Sequence, residues 1–144
     1  VVKLAKNDKG IAQNEAEVKA DKCGSKFINK VLSSAQNHSW IEVPFLDDIT
    51  EKEFEEMTGI DFKDFGEALD YGIKGKGKAS DGPDNFDKAS KTDIYKDIVN
   101  VAKKMKLMGG DLGRISSWKS KDGRPVLADA GLTEAVYSDY YESS

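Results

Sequence analysis

Apolar side chains recur at Ile94, Ile98, Val101, Ala102 and Met105, the three-and-four spacing that keeps one stripe of a helix away from water. Residues 93–107 are therefore predicted as the longest helix, with Gly109 at its end. Other stretches carry shorter patterns. VVKLA at 1–5 reads as a strand broken by the turn-forming NDKG. IAQNEAEVKADK, with apolar Ile11, Ala12, Ala16 and Val18, predicts an amphipathic helix stopped at Gly24. KFINKVLSS and SWIEVPFL are β-favouring runs joined by the polar AQNH, an antiparallel hairpin. Thr50 and Glu53 form a capping box that opens a helix through Met57, closed by Gly59, and Asp61 caps a further helix, FKDFGEALDY. Residues 72–91, beginning GIKGKGKASDGPDN, read as a flexible loop. RISSWKSKDGRPVLAD alternates again, with Asp122-Gly123 as a tight hairpin turn. Strands and helices are partly segregated along the chain, so the fold class is α+β, in one domain spanning 1–144.

Composition narrows the chemistry. Hydrophobic residues make up 38% and charged residues 33%, which suits a folded domain, and no apolar run is long enough for a membrane span. No signal-peptide segment opens the chain, so secretion is not expected. One cysteine, Cys23, gives no internal disulfide and fits a reducing compartment. With a single histidine, His38, beside it, a transition-metal site is not expected, and any metal should be a hard cation held by oxygen. The net charge of −4 is segregated: residues 1–30 hold seven Lys against four acids, whereas residues 41–70 hold eleven acids against two Lys. An acidic middle argues against a nucleic-acid partner.

Several familiar motifs fail on chemistry. GIKGKGKA matches the spacing of a phosphate-binding loop, but Ala79 stands where Ser or Thr must ligate magnesium, and no helix follows directly. His38 sits in a hairpin turn without a nucleophile, and Cys23 reads as a small half-buried hydrophobe.

Lys3, on a short strand between apolar neighbours, is aimed off the sheet. Glu15 and Glu17 lie one to two turns into the next helix, so either can return to pair with it. Asp111 follows the double glycine after the long helix, and Asp129 ends the last strand eighteen residues later. Together these resemble the protein-kinase fold. VVKLAKN is similar to the strand of the phosphate-binding lysine, and IAQNEAEV to the helix bearing its glutamate. GGDLGRISSW is similar to the catalytic loop, and Asp129-Ala130-Gly131 to the metal-binding Asp-Phe-Gly. KGIAQNEAEV and LADAGLTEAVYSDYY also resemble small kinase-like proteins of tailed bacteriophages.

The resemblance implies a minimal kinase-like domain, with a small-lobe part at 1–46 and an abbreviated large-lobe part at 47–144. It implies nucleotide held by Lys3 and by Glu15 or Glu17, with ATP and magnesium as cofactors. Asp111 becomes the catalytic aspartate, and Asp129 and Ser116 the metal ligands. Phosphoryl transfer depends chiefly on positioning and charge neutralisation, which suits such a set.

The departures are substantial. Gly109-Gly110 replace the His-Arg that precedes the catalytic aspartate, Ser116 replaces a metal-binding Asn, Ala130 replaces an aromatic, and no glycine-rich loop stands before Lys3. Binding is therefore expected more than catalysis. The rival expectation is a non-catalytic module in a large assembly, such as a virion component. Its contacts would be made by the acidic segment 47–70 and by Tyr137, Tyr140 and Tyr141. Both expectations place the protein in the cytoplasm or in a virion.

Overall fold

A computed structural model describes residues 1–74, 86–107, 112–128, 130 and 133. The architecture is α+β, with two small antiparallel sheets and, among the described residues, five helices. The first sheet is ordered β1-β3-β2, from β1 (Val2–Leu4), β2 (Ser33–Ser34) and β3 (Trp40–Glu42). Lys3 lies opposite Ile41, and Leu4 opposite Trp40. Side chains alternate across a strand, so Lys3 and the buried Ile41 face one side. Val2, Leu4 and Trp40 face the other, where all three are exposed.

Helix α1 (Asp8–Asp21) packs against the Lys3 side. It begins earlier than the sequence predicts, because Asn7 is its N-cap and accepts a hydrogen bond from Gly10 N at 3.0 Å. Asn serves caps and turns alike, so NDKG reads as a turn when it is a helix start. The buried face of α1 also differs from the apolar pattern: it carries Asn14, Ala16 and Ala20. Asn14 Nδ2 donates to the carbonyls of Lys3, at 3.4 Å, and His38, at 3.0 Å. One buried amide thus ties helix, strand and hairpin turn together. The helix approaches the end of β1 closely at Gly10, where a Cβ would stand 3.1 Å from both Cα and Cβ of Ala5.

The KFINKVLSS run is mostly not strand. Only Ser33–Ser34 pairs with β3, while Ile28 bridges Leu127 in parallel and Asn29 N donates to Leu127 O at 3.0 Å. The run after α1 is thereby fastened to the C-terminal hairpin.

The second sheet is ordered β4-β5-β6, from β4 (Asp47–Asp48), β5 (Trp118–Lys121) and β6 (Arg124–Leu127). Asp122 and Gly123 both have positive φ, 51° and 76°, as the predicted tight turn requires. Helix α2 (Glu51–Thr58) carries the predicted Thr50–Glu53 capping box and ends on left-handed Gly59. Helix α3 (Phe62–Lys74) begins after Asp61, whose carboxylate accepts from Asp64 N at 3.1 Å.

Residues 72–74 belong to α3, and 86–90 form α4 (Phe86–Ser90), so these parts of the expected 72–91 loop are helical. Residues 75–85 lie outside the described residues. Helix α5 (Asp93–Met105) starts at its Thr92 cap and ends on Lys106 in the left-handed conformation, short of the predicted Gly109.

The main core lies between α2, α3, α5 and the hairpin. Phe54 meets Phe65 and Phe62 at ring-centre distances of 4.9 and 5.0 Å, and Trp118 edge-on at 5.9 Å. Trp118 Nε1 donates to Leu112 O at 3.0 Å, which satisfies its only polar atom and pins the segment entering the hairpin. No helix among the described residues is long and apolar enough to cross a membrane.

Candidate functional site

Lys3 projects from the middle of β1 toward α1. Its Nζ donates to Glu17 Oε1 at 2.6 Å and to the carbonyl of Ala128 at 3.2 Å. The glutamate side chain is only 11% exposed and that of Lys3 36%, so the pair is shielded on its acidic side and open to solvent on its basic side. Helical geometry explains the choice of partner. Residues 14 and 17 are i, i+3 neighbours on one face, and Asn14 already holds the Lys3 carbonyl. Glu15 points away and pairs with Lys19 at 3.2 Å on the solvent side. Of the two glutamates expected to reach Lys3, Glu17 is the one in contact.

The Ala128 contact crosses the molecule, joining residues 125 apart in sequence. Two backbone links make it possible: Leu127 N donates to Phe27 O at 2.7 Å, and Ala128 N to Ser117 O at 2.8 Å. The end of β6 is thus held between the segment after α1 and the 3-10 turn Ile115–Ser117.

A cleft of about 710 Å³ opens around this ion pair, a size that suits a small-molecule ligand. Lys3, Asn14 and Glu17 form one wall, and Val43, Pro44, Phe45 and Leu46, the link between the sheets, form another. Ser116, Lys119, Asp47 and Asp48 also line it. The cleft therefore lies where residues 1–46 meet the rest of the chain.

Ser116 is exposed on the cleft, as an oxygen ligand would need to be. Asp111 and Asp129 lie outside the described residues, although their neighbours Leu112 and Ala128 are fixed by the contacts above. Among the described residues, no three or more His, Cys, Asp or Glu side chains gather in a way that could hold a metal ion.

Three cleft residues escape sequence reasoning. Asn14 looks like a solvent-facing helix position. Asn29 follows the bridge to β6, and its Oδ1 is buried with no hydrogen-bond partner among the described residues. Lys119 enters through the β4–β5 register, which sets it opposite Asp48, 71 residues earlier. Comparison with protein-family models, with curated proteins and with solved structures finds no match.

Proposed function

We propose that the chain is a kinase-like module that binds a nucleotide with magnesium in the cleft around Lys3. The observation that carries this reading is the Lys3–Glu17 pair at 2.6 Å, set beside the backbone at Ala128. A lysine on a strand, oriented by a helix glutamate, is the arrangement with which kinases hold nucleotide phosphates. Glu17 and the Ala128 carbonyl fix the ammonium in place, so little side-chain entropy remains to be lost when phosphate arrives. Magnesium, when bound, would neutralise phosphate charge, with Ser116 and Asp129 as its candidate ligands. Binding is proposed here without phosphotransfer, because Gly109-Gly110 and Ala130 depart from a working catalytic set.

A second reading, a non-catalytic protein-interaction module of a larger assembly such as a virion, is favoured by the open face of the first sheet. Leu4 is 73% exposed, with Val2 and Trp40 also open on the same side of the sheet, apolar surface of the kind found at contact sites.

One experiment separates the two readings. Thermal melting with millimolar ATP and magnesium should raise the Tm, by linkage of roughly 2.7 kcal/mol at a hundredfold excess over Kd. Lys3→Met and Asp129→Asn should each remove the rise. Absence of a shift in the wild type, with retention in a large assembly that Leu4→Asp breaks and Lys3→Met spares, transfers the conclusion to the interaction module.

A further inference from the structure

Lys3 has less to offer a ligand than its position implies. An ammonium carries three hydrogens, and two are committed, to Glu17 Oε1 and to Ala128 O. One remains for a polyphosphate that bears several charged oxygens. Lys119 lines the same cleft from β5, and its ammonium is paired with Asp48 on β4. That pair is lopsided: the Lys119 side chain is half-buried, whereas the Asp48 side chain is 90% exposed. A carboxylate so open to water holds its partner weakly. A phosphate oxygen in the cleft makes a stronger charge-assisted contact than a hydrated surface aspartate.

We infer that Lys119 is a second phosphate-binding cation of the cleft, held by Asp48 until a polyphosphate displaces that carboxylate. The inference rests on the nucleotide reading for its ligand class, but its chemistry is that of polyphosphate alone. Asp48 acts as a placeholder that keeps the Lys119 ammonium at the cleft and competes with the ligand for it.

The test uses titration calorimetry on the full chain with three probes: ATP with magnesium, inorganic tripolyphosphate with magnesium, and adenosine. Lys119→Gln should weaken ATP and tripolyphosphate by about tenfold and leave adenosine unchanged. Lys119→Arg should restore most of the loss. Asp48→Asn should tighten both phosphate ligands by up to about fivefold, because it removes the competitor. Lys96→Gln, the same charge change at an exposed position of α5, should alter nothing, which separates a contact from a net-charge effect. An unchanged Tm for Lys119→Gln without ligand excludes loss of folding as the cause.

If ATP binds and Lys3→Met abolishes binding while Lys119→Gln matches wild type, the inference is overturned and the nucleotide reading stands. Lys119-dependent binding of tripolyphosphate, with ATP no tighter and adenosine silent, supports the inference and removes the nucleoside from the reading. Absence of binding by any probe overturns both.

Discussion

The two sides of the cleft are held together by different forces. Beyond the cleft, α2, α3, α5 and the hairpin close over Phe54, Phe65 and Trp118, three aromatic side chains fully buried against one another. On the other side, the first sheet buries Ile41 but turns Val2, Leu4 and Trp40 outward. That sheet is joined to α1 by polar contacts, the Asn14 amide on two carbonyls and the Lys3–Glu17 pair, beside the buried Ile41 and Ala16. Hydrophobic burial is non-directional and scales with area, so the larger part is a source of stability. Polar contacts are directional and weak in net terms, so the smaller part fixes the position of Lys3 without adding much to stability. The two parts should therefore open at different free energies.

The largest expected effect comes from breaking the strong side. Phe54→Ala removes a ring in contact with three others and should cost about 3–5 kcal/mol in denaturant unfolding. Amide exchange should accelerate throughout, α5 included. A smaller effect sharpens the contrast. Asn14→Ala takes the side-chain donor from the His38 carbonyl and the second, longer bond from the Lys3 carbonyl, and should cost about 1–2 kcal/mol. Its exchange signature should be confined to β1, α1 and the hairpin turn, while α5 amides keep their protection. If Asn14→Ala deprotects α5 equally, the two parts unfold together and the contrast is lost.

The same division decides what was readable in the sequence. Local devices were legible: the Thr50–Glu53 box, the Asp122-Gly123 turn and the apolar stripe of α5 are each set by residues within a few positions of one another. Asn7 was misread because its side chain serves a cap and a turn equally well. That Lys3 leaves the sheet toward α1 is legible from its strand position between apolar neighbours. Its partner was left open between Glu15 and Glu17, because helix phase relative to the sheet is set by packing. Asn14 becomes visible only once α1 lies on β1. Lys119 and Asp48 meet through a strand register that nothing local specifies. Polar residues at long range carry the site, and periodicity reads only apolar ones.

The smallest expected effect probes the strong side through a displaced titration. Tyr95 is buried on α5, where Gly72 of α3 packs so closely that a Cβ there would stand 2.0 Å from the tyrosine oxygen. Burial disfavours the phenolate and raises the Tyr95 pKa above its usual 10. The sign follows from linkage: below pH 10 the tyrosine is neutral in both states and stability does not change with pH on its account. As pH rises past the unfolded value, the unfolded chain releases its proton first, so stability falls until the folded pKa is passed. For one proton the slope is at most about 1.4 kcal/mol per pH unit. Tyr95→Phe should flatten the alkaline limb of stability against pH by that component, measured by denaturant midpoints on either side of pH 10. Because Tyr95 belongs to the aromatic side of the cleft, the alkaline change should appear in global unfolding and leave the local opening of β1 unaltered. A β1 opening that tracks the Tyr95 titration would show that the two sides share one cooperative unit.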